Sequence, residues 1–381
     1  MKTRCYIFVV LFLVCAMLVA SNVKVAYAGF ENNISYKSAV LIDKNSGKVL
    51  FEQNSNEKVH IASVTKLMTI LLTLEEIENN RLNLTDIVTV SENASGMGGS
   101  QVFLEANGEY KVAELLKSVI VASANDSSVA LAEHIAGSET NFVRMMNQKA
   151  NELNLVGTYY ANCTGLPTPD GVSTAFDQAV VLSKVLNYEV YHKFSSIWLE
   201  DFVHPSGRTT QMANTNKLSR FYSGCVGGKT GSTNQAKYCL AVGAKRDKTE
   251  LIAVVLGVEN SKDRFQLASS LLNYGFENFT TTEIFNQESL KDVKIEVKGN
   301  NRQATLKAEK NYSVVHKVGE KVNYSINLNL PNKLTSVKEN QIVGNAEIVI
   351  DGVVVERINI LSCNTIDEFS VWDYVKEIVK N

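Results

Sequence analysis

The spacing of apolar residues changes character along the chain, and the changes mark its parts. An unbroken apolar run, Tyr6 to Ala20, follows Lys2 and Arg4 and precedes Ala26-Tyr27-Ala28. A basic start, a short apolar run and a small-x-small site form the pattern of a secretory leader, here residues 1–28, cleaved after Ala28. The run is short for a spanning helix, which is the other reading. The stretch "SAVLIDKNSGKVLFEQ" (Ser38 to Gln53) then sets two β-branched runs around Asn45-Ser46-Gly47, which predicts a hairpin. From about Ala62 to Asn79 the period becomes helical, with Leu67, Ile70, Leu71 and Leu74 on one face and Ser63 in the first turn. Helical faces recur over Ala113 to Val121 and Ser127 to Ile135, separated by the polar break "SANDS", with Gly137 as a helix end. "NFVRMMNQKANELNL" and "STAFDQAVVLSKVLN" read as further amphipathic helices. Asp126 reads as the cap of the helix that follows it, and Asp177 in "STAFD" likewise as a helix-start residue.

Past Gly227 the pattern turns to strand, a charged turn at Lys245 to Lys248, strand again, and a helix from about Asp263 to Phe276. Strands, helices, strands and a closing helix predict an α/β (α+β) domain, residues 29–280, with an antiparallel sheet flanked by helices. After about Thr282 the alternation has period two, in "VKIEVKG", "RQATLKAE", "KVNYSINLNL" and "AEIVIDGVVVERINILS", with Asp351-Gly352 as a hairpin turn. This predicts a small all-β domain, a sandwich, over residues 281–365. Residues 366–381 read as an amphipathic helix bearing Phe369, Val371, Trp372, Val375, Ile378 and Val379 on one face. It is too short to span a bilayer. Peripheral membrane contact, docking on the β-domain and an oligomer contact all remain open for it. Its acids, Asp367, Glu368, Asp373 and Glu377, outnumber Lys376 and Lys380, whereas surface-seeking helices are usually basic.

Composition changes little in this picture. The 381 residues are 45% hydrophobic and 20% charged, with a net charge of -2, so no basic surface points to nucleic acid. Of six cysteines, Cys5 and Cys15 leave with the leader. Cys163, Cys225, Cys239 and Cys363 show no C-x-x-C spacing, and the five histidines are scattered, which argues against zinc. The cysteines read as small core residues.

Candidate chemistry begins with Ser63 and Lys66 in "IASVTKLM", a hydroxyl and an ammonium in apolar text. One Ser-x-x-Lys means little, since Ser21 with Lys24 and Ser55 with Lys58 match too. Ser-x-Asn also recurs, at Ser91, Ser123, Ser232, Ser325 and Ser362. Lys229-Thr230-Gly231 occurs once, against a chance expectation on the order of 0.1. The ordered set carries the signal: Ser63-x-x-Lys66 opening a helix, Ser123-Ala124-Asn125 in a break between helices, and Lys229-Thr230-Gly231 opening a strand. Residues i and i+3 of a helix share a face, so Ser63 and Lys66 can touch. Serine needs a base, and without a histidine in the set an amine must serve. Burial lowers a lysine pKa, and a second cation such as Lys229 lowers it further. Lys229 could also bind a substrate carboxylate, Ser123 could relay a proton to a leaving group, and Asn125 could hold both a substrate amide and Lys66. The backbone amides of Ser63 and Ser232 are the natural donors to a tetrahedral oxyanion.

This set resembles the serine penicillin-binding proteins, and more closely the low-molecular-weight D-alanyl-D-alanine carboxypeptidases, peptidase family S11. The resemblance is carried by "LIDKNSGKVLFEQN", "IASVTKLMT", "VASANDSSVALAEHIAGS", "FVRMMNQKANEL", "NCTGLPTPDGVSTAFD" and "GGKTGSTNQAKYCLAV", and spans about Ser38 to Val258. The β-rich segment and terminal helix look like that family's second domain and anchor. The chain departs from the family at Lys237, where glycine is often found, and in "SANDSS" for the common "SANDAA". The resemblance implies a penicillin-binding, β-lactamase-like transpeptidase fold and a substrate, a peptidoglycan stem peptide ending in D-Ala-D-Ala. Ser63 would be acylated, with Lys66 and Ser123 catalytic and Asn125, Lys229, Thr230, Gly231 and Ser232 binding substrate. Water would hydrolyse the acyl-enzyme and β-lactams would acylate the same serine, with no metal or organic cofactor. With the leader pattern, it also implies an exported, extracytoplasmic protein of the cell wall or of the outer face of the cytoplasmic membrane. Two rivals stand beside it. A class A β-lactamase would need a Glu-x-x-Leu-Asn loop, yet the glutamate position before each Leu-Asn holds Asn79, Ala150, Ser183, Ser269 or Ser325. A non-catalytic wall-binding or β-lactam-sensing module would share the motifs but lack the chemistry.

Overall fold

The computed structural model describes residues 30–298 and 302–368, with 370, 372, 375 and 379 in the tail. The expected leader lies outside the described residues, as does most of the expected tail helix. Of its apolar face, Trp372, Val375 and Val379 are described, and all three are exposed. Among the described residues no helix is long and apolar enough to cross a membrane.

The expected hairpin forms from β1 (Ser38–Asp43) and β2 (Val49–Gln53). A 3-10 turn, Ala62–Thr65, then leads into α1 (Lys66–Glu78). Ser63 thus sits in the tight turn ahead of the α-helix. β3 (Ile87–Thr89), α2 (Glu92–Ser95) and β4 (Glu109–Lys111) precede the helices α3 (Val112–Val121), α4 (Asn125–Ala136), α5 (Glu139–Glu152), α6 (Ala175–Val185) and α7 (Glu189–Ser195). A hairpin of β5 (Leu199–Val203) and β6 (Thr209–Ala213), then α8 (Leu218–Phe221), lead to β7 (Cys225–Thr233), β8 (Lys237–Arg246), β9 (Thr249–Val258) and α9 (Ser261–Asn278). Leu67, Met68, Ile70, Leu71 and Leu74 of α1 are buried, and α1 packs against α3, α4, α5 and α6 at the centre of the larger core.

Among the described residues, five strands form one antiparallel sheet in the order β2-β1-β9-β8-β7. Every residue of β9 is buried, with α6 and α9 packed against it, as an unbroken apolar run requires. The edge strand β7 departs from expectation. Its Gly-Gly-Lys-Thr-Gly text holds a single β-branched former, Thr230, and local preference places Lys229-Thr230-Gly231 at the opening of a strand beyond it. Instead the tripeptide lies mid-strand, paired with Leu240 and its neighbours.

The second part contains β10 (Phe279–Phe285), a 3-10 turn (Gln287–Leu290), β11 (Lys294–Val297), β12 (Arg302–Ala308), β13 (Tyr312–Lys317), β14 (Tyr324–Asn329), β15 (Lys333–Leu334), β16 (Ile342–Ile350) and β17 (Val353–Ser362). β10 pairs with β13, and the others form a sheet ordered β14-β16-β17-β12-β11-β15. Ala346, Ile348, Ile358 and Ile360 lie in its separate core. Asp351 and Gly352 take the left-handed angles that a two-residue hairpin turn needs. Of the cysteines, Cys163 and Cys239 are core residues as expected; Cys225 is half-buried and Cys363 exposed, so neither belongs to a core.

Candidate active site

Side chains three apart eclipse in a 3-10 turn, which sets Ser63 and Lys66 side by side. Their Oγ and Nζ are 3.1 Å apart. Ala62, just before the serine, has φ +48, a left-handed angle that costs a residue with a Cβ about 1–2 kcal/mol. Gly165 fits against it, since a Cβ there would stand 2.0 Å from the Ala62 carbonyl oxygen.

Lys66 is fully buried, and Nζ also meets Asn125 Oδ1 at 2.5 Å and the Thr164 carbonyl oxygen at 2.7 Å. Burial pulls its pKa down to about 7, against weaker upward pulls from Cys163 and Asp126. The partners then fix the direction of the lone pair. A neutral amine has two N–H bonds and one lone pair. Asn125 Oδ1 and the Thr164 carbonyl can only accept, so both N–H bonds go to them. The lone pair is left facing the Ser63 hydroxyl, the one partner able to donate a proton.

Ser123 lies between α3 and α4 with φ +62, another left-handed non-glycine. Such strain persists only where the surroundings enforce it. Its hydroxyl accepts from Lys229 Nζ at 2.7 Å, and Lys229 also donates to the Thr230 carbonyl at 3.1 Å. Burial, then the charges of Lys66 and Arg264, hold the Lys229 pKa well below the ordinary lysine value. The expected effect of one lysine on the other is therefore felt at Lys229, while at Lys66 burial dominates. Asn125 begins α4, and its Nδ2 donates to the Gly98 carbonyl at 2.7 Å, which fixes the amide orientation toward Lys66.

β7 closes the cleft. A Cβ on Gly231 would stand 2.5 Å from the Ile61 carbonyl oxygen and 3.1 Å from the Ser63 amide nitrogen, so only glycine lets the strand approach so closely. Thr230 is buried and Ser232 exposed beside it. As the sheet edge, β7 leaves backbone groups facing away from β8 for an extended peptide to pair with.

The structure brings together the motif residues expected from sequence and adds others. The Thr164 carbonyl is held by Asn162, whose Oδ1 accepts from the Thr164 and Gly165 amides at 3.1 and 2.6 Å. Arg264, buried, donates to the Gly231 carbonyl at 3.0 Å. Backbone carbonyls carry no residue signature, so only the polar "NCTG" text points here. Asp126 corrects an expectation. It does not cap α4, whose N-cap is Ala124; its carboxylate accepts from the Val102 and Leu104 amides, each at 3.1 Å, and ties down the loop beside the cleft.

A model of the D-alanyl-D-alanine carboxypeptidase family matches residues 24–260. The chain belongs to this family. A model of the penicillin-binding protein 5 C-terminal domain matches residues 279–368. The chain is 40% identical to the D-alanyl-D-alanine carboxypeptidase DacF of Bacillus subtilis over 75% of its own length and 74% of the relative's. It is 32% identical to DacC of Escherichia coli over 90% and 88%. Penicillin-binding protein 5 of Haemophilus influenzae has the same fold, with a TM-score of 0.70 at 29% identity, over 90% of this chain and all of that one. The helix-flanked sheet and the β-domain are therefore the two domains of a carboxypeptidase of this type.

Proposed function

We propose that the protein removes the terminal D-Ala from peptidoglycan stem peptides through an acyl-enzyme on Ser63. The observation that carries this reading is the buried Lys66 amine, whose acceptor partners Asn125 and Thr164 leave its lone pair for the Ser63 hydroxyl. Ser63 Oγ attacks the penultimate D-Ala carbonyl while its proton passes to Lys66 Nζ. The amides of Ser63 and Ser232 receive the oxyanion as the peptide lies along β7. Asn125 and Thr230 orient the peptide, and Lys229 holds the terminal carboxylate. Ser123, bonded to Lys229, relays the proton that Lys66 took from Ser63 to the leaving D-Ala amine; water then attacks the ester, giving one proton to Lys66, which returns it to Ser63 Oγ as the shortened peptide leaves. Penicillins acylate Ser63 in the same way. The leader pattern over residues 1–28 supports export, with the protein acting outside the cytoplasmic membrane; the exposed apolar Trp372, Val375 and Val379 support a peripheral membrane contact, while the acidic excess of the tail weighs against it.

A labelled penicillin and a D-Ala-D-Ala peptide test the reading on the mature chain. Wild type is expected to retain label and release D-Ala, and Ser63→Ala to do neither. A wild type that releases no D-Ala overturns it, as does rapid turnover of the penicillin, the behaviour of a β-lactamase.

A further inference from the structure

β7 orders the cleft from end to end. Lys229 stands at one end, bonded to Ser123; Gly231 lies against the Ser63 amide; Ser232 and Thr233 continue past it. With the leaving amine at Ser123, the acyl donor must run the other way, toward Thr233. There an open recess of about 490 Å³ is lined by Ser232, Thr233, Asn234, Lys237, Tyr238 and Glu259.

Pairing of Tyr238 with Val258 brings their neighbours Lys237 and Glu259 together at this recess, with Nζ 3.3 Å from the carboxylate. Their side chains are 43% and 55% exposed, and so open an ion pair adds little to stability. Lys237 nevertheless has φ +55, an angle glycine takes without cost. Neither backbone nor stability accounts for a lysine here. A closely spaced pair of opposite charges offers little to a single charge but is complementary to a second such pair.

We propose that Lys237 and Glu259 form a specificity subsite for donor side chains that end in a zwitterion, an ammonium beside a carboxylate. The ammonium meets Glu259 and the carboxylate meets Lys237. This rests on the acyl-transfer reading of Ser63, which sets the direction of the donor along β7.

Three Nα-acetylated peptides ending in D-Ala-D-Ala test it, their donor side chains closing in a zwitterion (diaminopimelyl), an ammonium (lysyl) or a neutral amide (Nε-acetyl-lysyl). Released D-Ala gives kcat/KM for each. Wild type is expected to favour the zwitterion over the neutral peptide by about fivefold, the scale of two exposed ion pairs. In Glu259→Gln and Lys237→Gly the preference should fall to about twofold or less. Acylation of Ser63 by a small penicillin reports an intact site in each variant, and the near-isosteric Glu259→Gln decides if Lys237→Gly misfolds. Release from all three peptides without preference, or a preference that survives in Glu259→Gln, overturns the subsite. No release from any of them overturns the acyl-transfer reading instead.

Discussion

The hairpins β7–β8 and β16–β17 are built on the same antiparallel ladder and put it to opposite uses. In β16–β17 the alternation holds between two register shifts: Ala346, Ile348, Ile358 and Ile360 face the core, while Glu347 and Arg357 pair across the outer face at 2.9 Å. Its inner face is apolar, and its side-chain ion pairs, Glu347 with Arg357 and Glu356 with Lys310, lie on the solvent side. In β7–β8 the inner positions of β7 hold Lys229 and Gly231, and each meets a distant part of the chain, Ser123 for the lysine and the Ile61–Val64 turn for the glycine. Burying Lys229 and Lys66 opposes stability, since the groups that Nζ of each meets, hydroxyls, an amide oxygen and backbone carbonyls, carry no balancing charge. The first hairpin specifies a domain; the second holds a cleft under strain for chemistry.

The sharpest way to break this contrast is Lys66→Arg. A guanidinium can still donate to Asn125 and Thr164, so the fold should persist, destabilised by about 1–3 kcal/mol through overpacking. It has no lone pair to receive the Ser63 proton, so penicillin acylation should fall by about 10²–10⁴-fold, the scale of a lost general base. Near-normal acylation would show that another group is the base. The pH profile sharpens the same point. With Lys66 at about 7, the neutral amine is scarce below that pH and dominant above it, so wild-type acylation should rise with pH through about 7 and level off. A profile falling over that range would contradict a lysine base.

The next test leaves the cleft alone. Ile358 is fully buried in the β-domain core, so Ile358→Ala should destabilise that domain by about 2–5 kcal/mol, read by chemical or thermal unfolding. The domains touch, for example where Lys48 Nζ donates to the Val315 carbonyl at 3.3 Å, yet no residue of the cleft lies in the Ile358 cluster. Acylation of Ser63 should therefore stay within about twofold of wild type where the β-domain remains folded. A parallel loss of acylation would show that the two hairpins are energetically one unit.

How much the sequence reveals follows the same division. Period-two text such as "AEIVIDGVVVERINILS" exposes the buried face, so the β16–β17 hairpin and its Asp351-Gly352 turn are legible from the residues alone, whereas the register shift between Ile348 and Val349 is not. β13 and the β5–β6 hairpin are not: "YSVVHK" is short, and β5 buries Phe202 alone while leaving Leu199 and Val203 exposed, so one apolar residue marks its buried face. In the site, Ser63, Lys66, Ser123, Asn125 and Lys229 are legible because their motifs occur in order. The Thr164 and Gly98 carbonyls that aim Lys66 and Asn125 are not, because a backbone oxygen is present at every position and only the fold selects one. The extent of β7 is hidden for a related reason. Its Gly231 serves close approach to the Ile61–Val64 turn, a tertiary demand that overrides local strand preference.

The smallest expected effect separates two reasons for glycine. At Gly231 a Cβ would collide with the Ile61 carbonyl oxygen, so the residue is fixed by contact. At Gly352 an added Cβ would meet nothing within 4 Å, and the residue is fixed by φ +81 alone. Gly352→Ala should therefore cost only the left-handed backbone term, about 1–2 kcal/mol, lowering β-domain stability without touching acylation. Asp351, beside it at φ +49, already bears that cost with a side chain suited to it. A loss well above this range would mean that the hairpin tip makes a contact the ladder alone does not provide; a loss near zero would mean that the turn can relax into another type, and that even the regular hairpin is held by its core and not by its turn.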